Sequence, residues 1–237
     1  LKKLKNSGVN VISYGFESFS SVVLKSMKKP ITPEQISNAF YKTLEEEMGV
    51  QANFILGDVA ETKETAKITL DWWKNNAKGQ IGLGFIQPFP GSEIYKHCLD
   101  KGIIKDKIDF LKNGTSIGVW YNMTDNMTDE EISQLKKEVL EATSKYTKFV
   151  TPISKKRIEN GNYEFEVKCP FCREINNFKN CFIKSSYNYG FIISCRNCHM
   201  KFFITSILRK IAYKYYPQTR ALRDYMIRIQ RFFTKFK

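Results

Sequence analysis

The sequence lacks any apolar run approaching the ~20 residues that cross a bilayer. Its longest such patches, Gly190–Ser194 and Phe202–Ile207, have the length of a strand or a few helical turns. The first residues do not read as a secretory leader. No internal repeat and no low-complexity tract is present, so a solenoid and a disordered scaffold are both disfavoured. Cysteine is sparse: six in 237 residues, four of them in two C-x-x-C pairs, with Cys98 and Cys181 standing alone. Paired C-x-x-C spacing without a secretory signal argues for metal binding in a reducing compartment rather than for disulfides. The expected location is cytoplasmic.

Acidic residues are nearly missing from the C-terminal segment. From Lys201 onward ten Lys or Arg residues face the single acid Asp224, which concentrates much of the formal net charge of +14 in the tail. Such asymmetry points to an anionic partner for the tail rather than for the whole chain. At the other end, Leu1–Asn6 is Lys-rich and amphipathic and reads as the last turns of a helix, with Gly8 suited to its C-cap. A chain that opens inside a helix is expected to be a fragment.

The body of the chain has what a parallel α/β sheet needs. Val9–Tyr14 is a β-rich run ending at Gly15. Thr32-Pro33-Glu34-Gln35 then starts a helix, with Thr at the N-cap, Pro in the first turn and Gln at the third position; it is expected to reach about Met48, with Gly49 ending it. Ala52–Leu56 is a second strand. Thr62 caps a helix over roughly Lys63–Asn76, with Leu70, Trp72 and Trp73 on or near its buried side. Ile81–Ile86 is a third strand, and Ser92 caps a helix to about Lys101. The alternation predicts parallel strands joined by crossover helices. Ligands of such sheets sit at the C-terminal ends of the strands, here Gly15–Ser20, Gly57–Thr62 and Gln87–Ser92. Further on, Thr128-Asp129-Glu130-Glu131 is a capping box opening a helix to about Phe149. Pro152 and Lys155–Arg157 read as a linker, Tyr163–Cys198 as β- and turn-rich, and 201–237 as helical with a break at Pro217.

Three segments resemble the cobalamin-type and related radical S-adenosylmethionine (SAM) enzymes. Gly15-Phe16-Glu17-Ser18, followed by Leu24 and Met27-Lys28-Lys29, looks like that family's fourth strand and its sequel. Phe54-Ile55-Leu56-Gly57 with Glu61-Thr62 looks like the fifth strand and its turn. Pro88-Phe89-Pro90-Gly91-Ser92 with Ile94-Tyr95 looks like the turn after the sixth. The resemblance covers roughly residues 1–105. It implies an α/β fold, the C-terminal half of a partial (β/α)6 barrel related to the TIM barrel, over 1–115. A helical extension over 116–150, a zinc-ribbon-like module over 151–206 and a basic amphipathic tail over 207–237 would follow. It also implies cofactors: SAM, a 4Fe–4S cluster held by a C-x-x-x-C-x-x-C loop, and in some members cobalamin. That loop spacing does not occur in this sequence, so the cluster and the start of catalysis would belong to an N-terminal half of the same protein, and the fragment alone would be inactive. By position, Glu17 and Ser18 match SAM contacts at the fourth strand's end, Asn53 a polar ribose contact, and Gly57 a close backbone approach; Pro88 and Gly91 would shape the substrate side. Val59 and Ala60 depart from the usual Pro and Gly. Neither the substrate, small or macromolecular, nor the reaction outcome is readable.

Cys169-Pro170-Phe171-Cys172 and Cys195-Arg196-Asn197-Cys198 are separated by twenty-two residues. Two such knuckles give a tetrahedral thiolate set suited to Zn²⁺, with an iron–sulfur cluster as the rival. Strand-like runs at Asn180–Ser185 and Phe191–Ser194, with a turn near Tyr187–Gly190, complete a zinc ribbon. Its role is expected to be structural, because a closed four-thiolate site leaves no open coordination position.

In the tail, Leu222, Tyr225, Met226, Ile229, Phe232, Phe233 and Phe236 recur at helical spacing between Arg and Lys residues. Three readings stay open for this basic amphipathic segment: packing on the protein's own core, an anionic membrane surface, or nucleic acid. The ribbon and tail as a nucleic-acid-binding or membrane-surface module beside a non-catalytic half-barrel is the alternative to the enzyme reading.

Overall fold

The computed structural model describes residues 1–77, 79–114 and 121–215. A short helix, α1 (Lys2–Asn6), ends at Gly8, whose φ of +93° is the left-handed conformation glycine adopts at little cost. Three strands follow, β1 (Val11–Glu17), β2 (Gly49–Leu56) and β3 (Ile81–Phe85), all parallel and in the spatial order of the sequence. Helices α2 (Ser21–Ser26) and α3 (Pro33–Glu45) connect the first pair. Between β2 and β3 run α4 (Lys63–Trp72) and its π-helical continuation Trp73–Ala77. After β3 come α5 (Glu93–Asp100), the short α6 (Lys107–Asp109), a π-helical turn (Phe110–Gly114) and the long α7 (Asp129–Tyr146).

Strand alternation divides this sheet into two unlike faces. Val50, Ala52, Phe54 and Leu56 of β2 are buried against helix residues that include Ile36, Phe40, Leu70, Trp73, Leu135 and Ala142. Each large side chain so buried contributes about 1.5–3 kcal/mol. On the opposite face Ser13, Gly15, Gln51, Asn53 and Gly82 are exposed. Among the described residues no barrel closes, since β1 and β3 are the edges of the sheet.

The second half of the chain holds two three-stranded sheets. The strands β5 (Ser154–Arg157), β6 (Tyr163–Lys168) and β7 (Ile175–Cys181) form an antiparallel meander. In the other sheet β4 (Phe149–Val150) and β8 (Gly190–Ser194) flank β9 (Lys201–Thr205), β4 parallel and β8 antiparallel. Phe165, Val167, Phe178, Tyr189, Phe202 and Ile204 pack together between them. A last helix, α8, covers Ile207–Lys214.

Several expected boundaries move. Ser154–Arg157 is not a linker but a fully exposed edge strand, and basic side chains on an edge discourage pairing with another chain. Asn180–Ser185 and Phe191–Ser194 do not pair with each other: β7 lies earlier and joins β6, while β8 joins β9. Lys201–Thr205 is a strand, its Phe202 and Ile204 buried. Gly49 does not end α3. The left-handed residue there is Glu47 (φ +52°), and Gly49 opens β2. Its missing side chain matters for another reason, because a Cβ would lie 3.0 Å from the carbonyl oxygen of His199. The two halves also meet at Gln80, whose fully buried amide donates to the Lys201 carbonyl (3.1 Å) and accepts from the Lys201 N–H (2.7 Å). The pair imitates one rung of a β-ladder. No helix among the described residues is long and apolar enough to cross a membrane.

Candidate functional site: a strand-end cleft and a four-cysteine metal centre

A cleft of about 490 Å³ opens at the C-terminal ends of the three parallel strands. Each strand end contributes to its wall: Glu17, Met27 and Lys29 after β1, Asp58 and Val59 after β2, Ile86, Glu93 and His97 after β3. Loops that begin at strand ends converge because the strands are parallel, so three stretches well separated in sequence share one mouth.

Glu17 holds the most constrained position. A bulge separates its register from that of Tyr14, and its φ is +62°. A non-glycine residue there is strained by about 1–3 kcal/mol, a cost found concentrated at ligand sites. The carboxylate Oε1 lies 2.9 Å from Lys29 Nζ, both groups partly shielded. Gly15 makes the pair possible, since a Cβ at that position would sit 3.0 Å from both Oε1 and Nζ.

The other residues singled out from the sequence are placed as follows. Ser18 is fully buried and does not line the cleft; its hydroxyl meets Thr69 Oγ1 (3.2 Å) and accepts from the Ser20 N–H (3.1 Å), so it braces the β1–α2 turn. Asn53 lies on the bare sheet face, two residues below Ile55 of the cleft wall, with its amide over Gly82, where any side chain would collide with it. Gly57 has φ +88° and donates its N–H to Glu61 Oε2 (3.3 Å). Pro88 is buried and Gly91 (φ +90°) exposed in the β3–α5 loop, and neither lines the cleft. That loop ends at Ser92, whose Oγ accepts from the Tyr95 N–H and caps α5.

Two residues gain weight from the structure. Glu61 is fully buried under the β2–α4 turn, accepting from Thr65 Oγ1 at 2.6 Å as well as from Gly57. Burial, only partly offset by these hydrogen bonds, pushes its carboxyl up from 4.5 to about 7. His97, on α5, faces the cleft, and its Nε2 is 3.7 Å from Asp125 Oδ1. Asp125 in turn meets Lys101 (3.2 Å) and donates its N–H to the Val59 carbonyl. Nothing local in sequence links positions 97 and 125; the contact depends on the loop that leads into α7.

The metal centre is built from two copies of one turn. Cys169 and Cys195 each donate an N–H to the carbonyl five residues on, Glu174 and Met200, and each accepts from the N–H four residues on, Arg173 and His199. Arg173 (φ +69°) and His199 (φ +56°) are both left-handed, which curls each C-x-x-C so that its two sulfurs face one point. The sulfurs of Cys169, Cys172, Cys195 and Cys198 all lie within 4.8 Å of one another. Across the knuckles Cys169–Cys198 and Cys172–Cys195 are 3.7 and 3.6 Å apart. Tetrahedral Zn–S bonds of about 2.3 Å require sulfurs about 3.8 Å apart, so this group can hold a metal ion such as Zn²⁺. His199 is not in it. Backbone N–H groups of Phe171 and Asn197 reach the Cys169 and Cys195 sulfurs at 3.4 Å.

Asn176, which the sequence reading passed over, ties the knuckles together. It is buried, accepts from the Arg196 N–H (2.7 Å), and donates to the Glu174 carbonyl (3.1 Å) and Cys195 Sγ (3.4 Å). Burial raises Cys198 and Cys169, whereas hydrogen bonds led by the Glu174 backbone overcome burial and bring Cys172 down to about 7. Four thiolates this close require a bound cation.

No family model matches the chain. It is similar to an uncharacterized methyltransferase of Pyrococcus horikoshii, 24% identical over 103 residues, which make up 44% of this chain and 22% of that protein. The match thus spans about a fifth of the relative's length, and the likeness is distant.

Proposed function

We propose that residues 1–115 are the C-terminal half of a radical SAM barrel, contributing one wall of a SAM and substrate pocket, with the four-cysteine module bound to structural Zn²⁺. The observation that carries this is that residues of all three family-like segments, Glu17, Met27 and Lys29 of the first, Ile55 of the second and Ile94 of the third, line one strand-end cleft. The bare sheet face adds support. Parallel sheets are normally covered on both sides, and a face of Ser13, Gly15, Gln51, Asn53 and Gly82, with Val11 and Ile55 as its apolar members, offers little to a helix layer but suits the inside of a barrel around a ligand. The methyltransferase description of the distant relative supports SAM as the cofactor.

In this reading Glu17 accepts hydrogen bonds from the ribose hydroxyls of SAM, Lys29 holds its carboxylate in place, and Gly57 lets the backbone approach the ligand. Asn53 adds a polar contact deeper in the pocket. Ser18 acts through the turn it braces, and Pro88 and Gly91 through the loop that launches α5. The 4Fe–4S cluster, which supplies the electron for SAM cleavage, would sit on the complementary half of the barrel, together with cobalamin in those members that use it.

The test is calorimetric titration of SAM into the full-length protein and its Glu17→Gln variant. Loss of a carboxylate accepting charged hydrogen bonds is expected to weaken binding about tenfold to a hundredfold. Equal affinity in the two proteins would remove Glu17 from the SAM site and the reading with it.

A further inference from the structure

Helix α8 presents an apolar face to solvent. At about 100° per residue, Ile207, Ile211, Leu208 and Ala212 fall within one arc of roughly 140°, and Arg209 and Lys210 lie outside it. Such a pattern ordinarily marks a helix packed on a core. Here Ile207, Leu208 and Ile211 are 68%, 63% and 50% exposed. The anchoring of the helix explains why. Ser206 is buried and donates its N–H to the Tyr189 carbonyl, and the Arg209 side chain lies against the start of β8, where a Cβ on Gly190 would come 2.9 Å from its Nε. The helix is therefore held to the ribbon by its basic side, and its apolar arc points away.

We infer that α8 is a surface anchor that inserts Ile207, Leu208 and Ile211 into the headgroup boundary of an anionic lipid membrane. Charge selects the partner: residues 201–215 hold four basic residues and no acid, a balance that complements an anionic surface. The side chains select lipid over nucleic acid. Single-stranded nucleic acids bind through aromatic stacking platforms, whereas this arc is aliphatic and matches acyl chains. The amphipathic sequence from Gln218 to Lys237 lies outside the described residues, and the inference stands on α8 without it. It is also independent of the SAM reading, with which it shares no residue.

The experiment is co-sedimentation of the full chain with vesicles of phosphatidylcholine plus phosphatidylserine, with vesicles of phosphatidylcholine alone, and in parallel a binding titration with a single-stranded RNA. The chain is expected to pellet with the anionic vesicles, less as salt rises, and poorly with the neutral ones. Ile211→Glu, at an exposed position, should lower the partition coefficient about tenfold or more while leaving the bound metal and the circular dichroism unchanged. Ile207→Glu should do the same. Vesicle binding that survives both substitutions overturns the proposal, as does tight RNA binding with no vesicle binding. Equal binding to neutral vesicles also defeats it.

Discussion

The Glu61 carboxyl is buried between Thr65 and the Gly57 N–H, with Asp58 nearby, and it titrates near 7 instead of 4.5. A carboxyl whose folded value is raised binds its proton more tightly folded than unfolded. Its contribution to stability is therefore fully present below pH 4.5 and is lost as the pH climbs to about 7, at up to about 1.4 kcal/mol per pH unit. Without the charge, glutamine can accept from the Gly57 N–H through its amide oxygen and donate its amide N–H to Thr65 Oγ1. Glu61→Gln is thus expected to flatten the fall of the melting temperature between pH 4.5 and 7 and to stabilise the protein by about 1–3 kcal/mol at pH 8, as read by thermal unfolding. A variant with the wild-type slope would show that Glu61 ionises freely. The same residue shows a limit of sequence reading. Glu61 stood out as part of a turn motif, but its burial follows from the packing of α4 and cannot be read from its neighbours. Asn176 was missed for a similar reason, since an Asn in a polar strand carries no mark that it will bridge two cysteine knuckles twenty-two residues apart.

At the scale of elements, the helix starts were the most legible feature, because capping is local chemistry. Thr32, Thr62 and Thr128 each accept from the N–H three residues on, and the side chains of Gln35, Thr65 and Glu131 reach back to the caps. Helix ends and strand limits were less legible. The end of α3 is set by Glu47, a left-handed residue without a glycine's signature, and β5 is a strand because β6 pairs with it, not because Ser154–Arg157 favours one. The cap at Thr128 also reaches beyond its own helix, because Glu131 forms an ion pair with Lys63 in the first turn of α4 (2.7 Å). Both groups of that pair are substantially exposed, so the bridge adds little, and the cap should dominate. Thr128→Ala is expected to destabilise the protein by about 1 kcal/mol, a drop in melting temperature of about 2–4 °C for a chain of this size. Double substitution with Lys63→Ala should lower it only slightly more. A larger added loss would make the α4–α7 bridge the stronger element.

The whole molecule joins a unit whose core is large to one whose core is small. In the first, Phe16, Phe40, Phe54, Leu70 and Trp73 are nearly or fully inaccessible and are shared among three strands and several helices. The second has eight buried cluster residues, two of which, Cys169 and Cys195, belong to the four-cysteine group that can hold a metal ion. Too small a core leaves metal coordination to supply the folding energy. The C-x-x-C spacings made that centre legible from sequence, whereas the cleft, assembled from strand ends far apart in the chain, was legible only through its likeness to a family. Removing a ligand should therefore act unevenly. Cys169→Ser, or a strong chelator, is expected to abolish stoichiometric Zn²⁺ binding and to expose the amides of Phe165, Val167, Phe178 and Phe202 to hydrogen exchange, while those of Val50–Leu56 stay protected. The α/β unit will not escape entirely. Gln80 loses its two bonds to Lys201, and an unsatisfied buried amide costs about 1–3 kcal/mol, so protection in β2 should fall by a measurable step without vanishing. Simultaneous loss of protection in both units would mean that they fold as one. Full retention of metal by the Cys169→Ser protein would take Cys169 out of the ligand set.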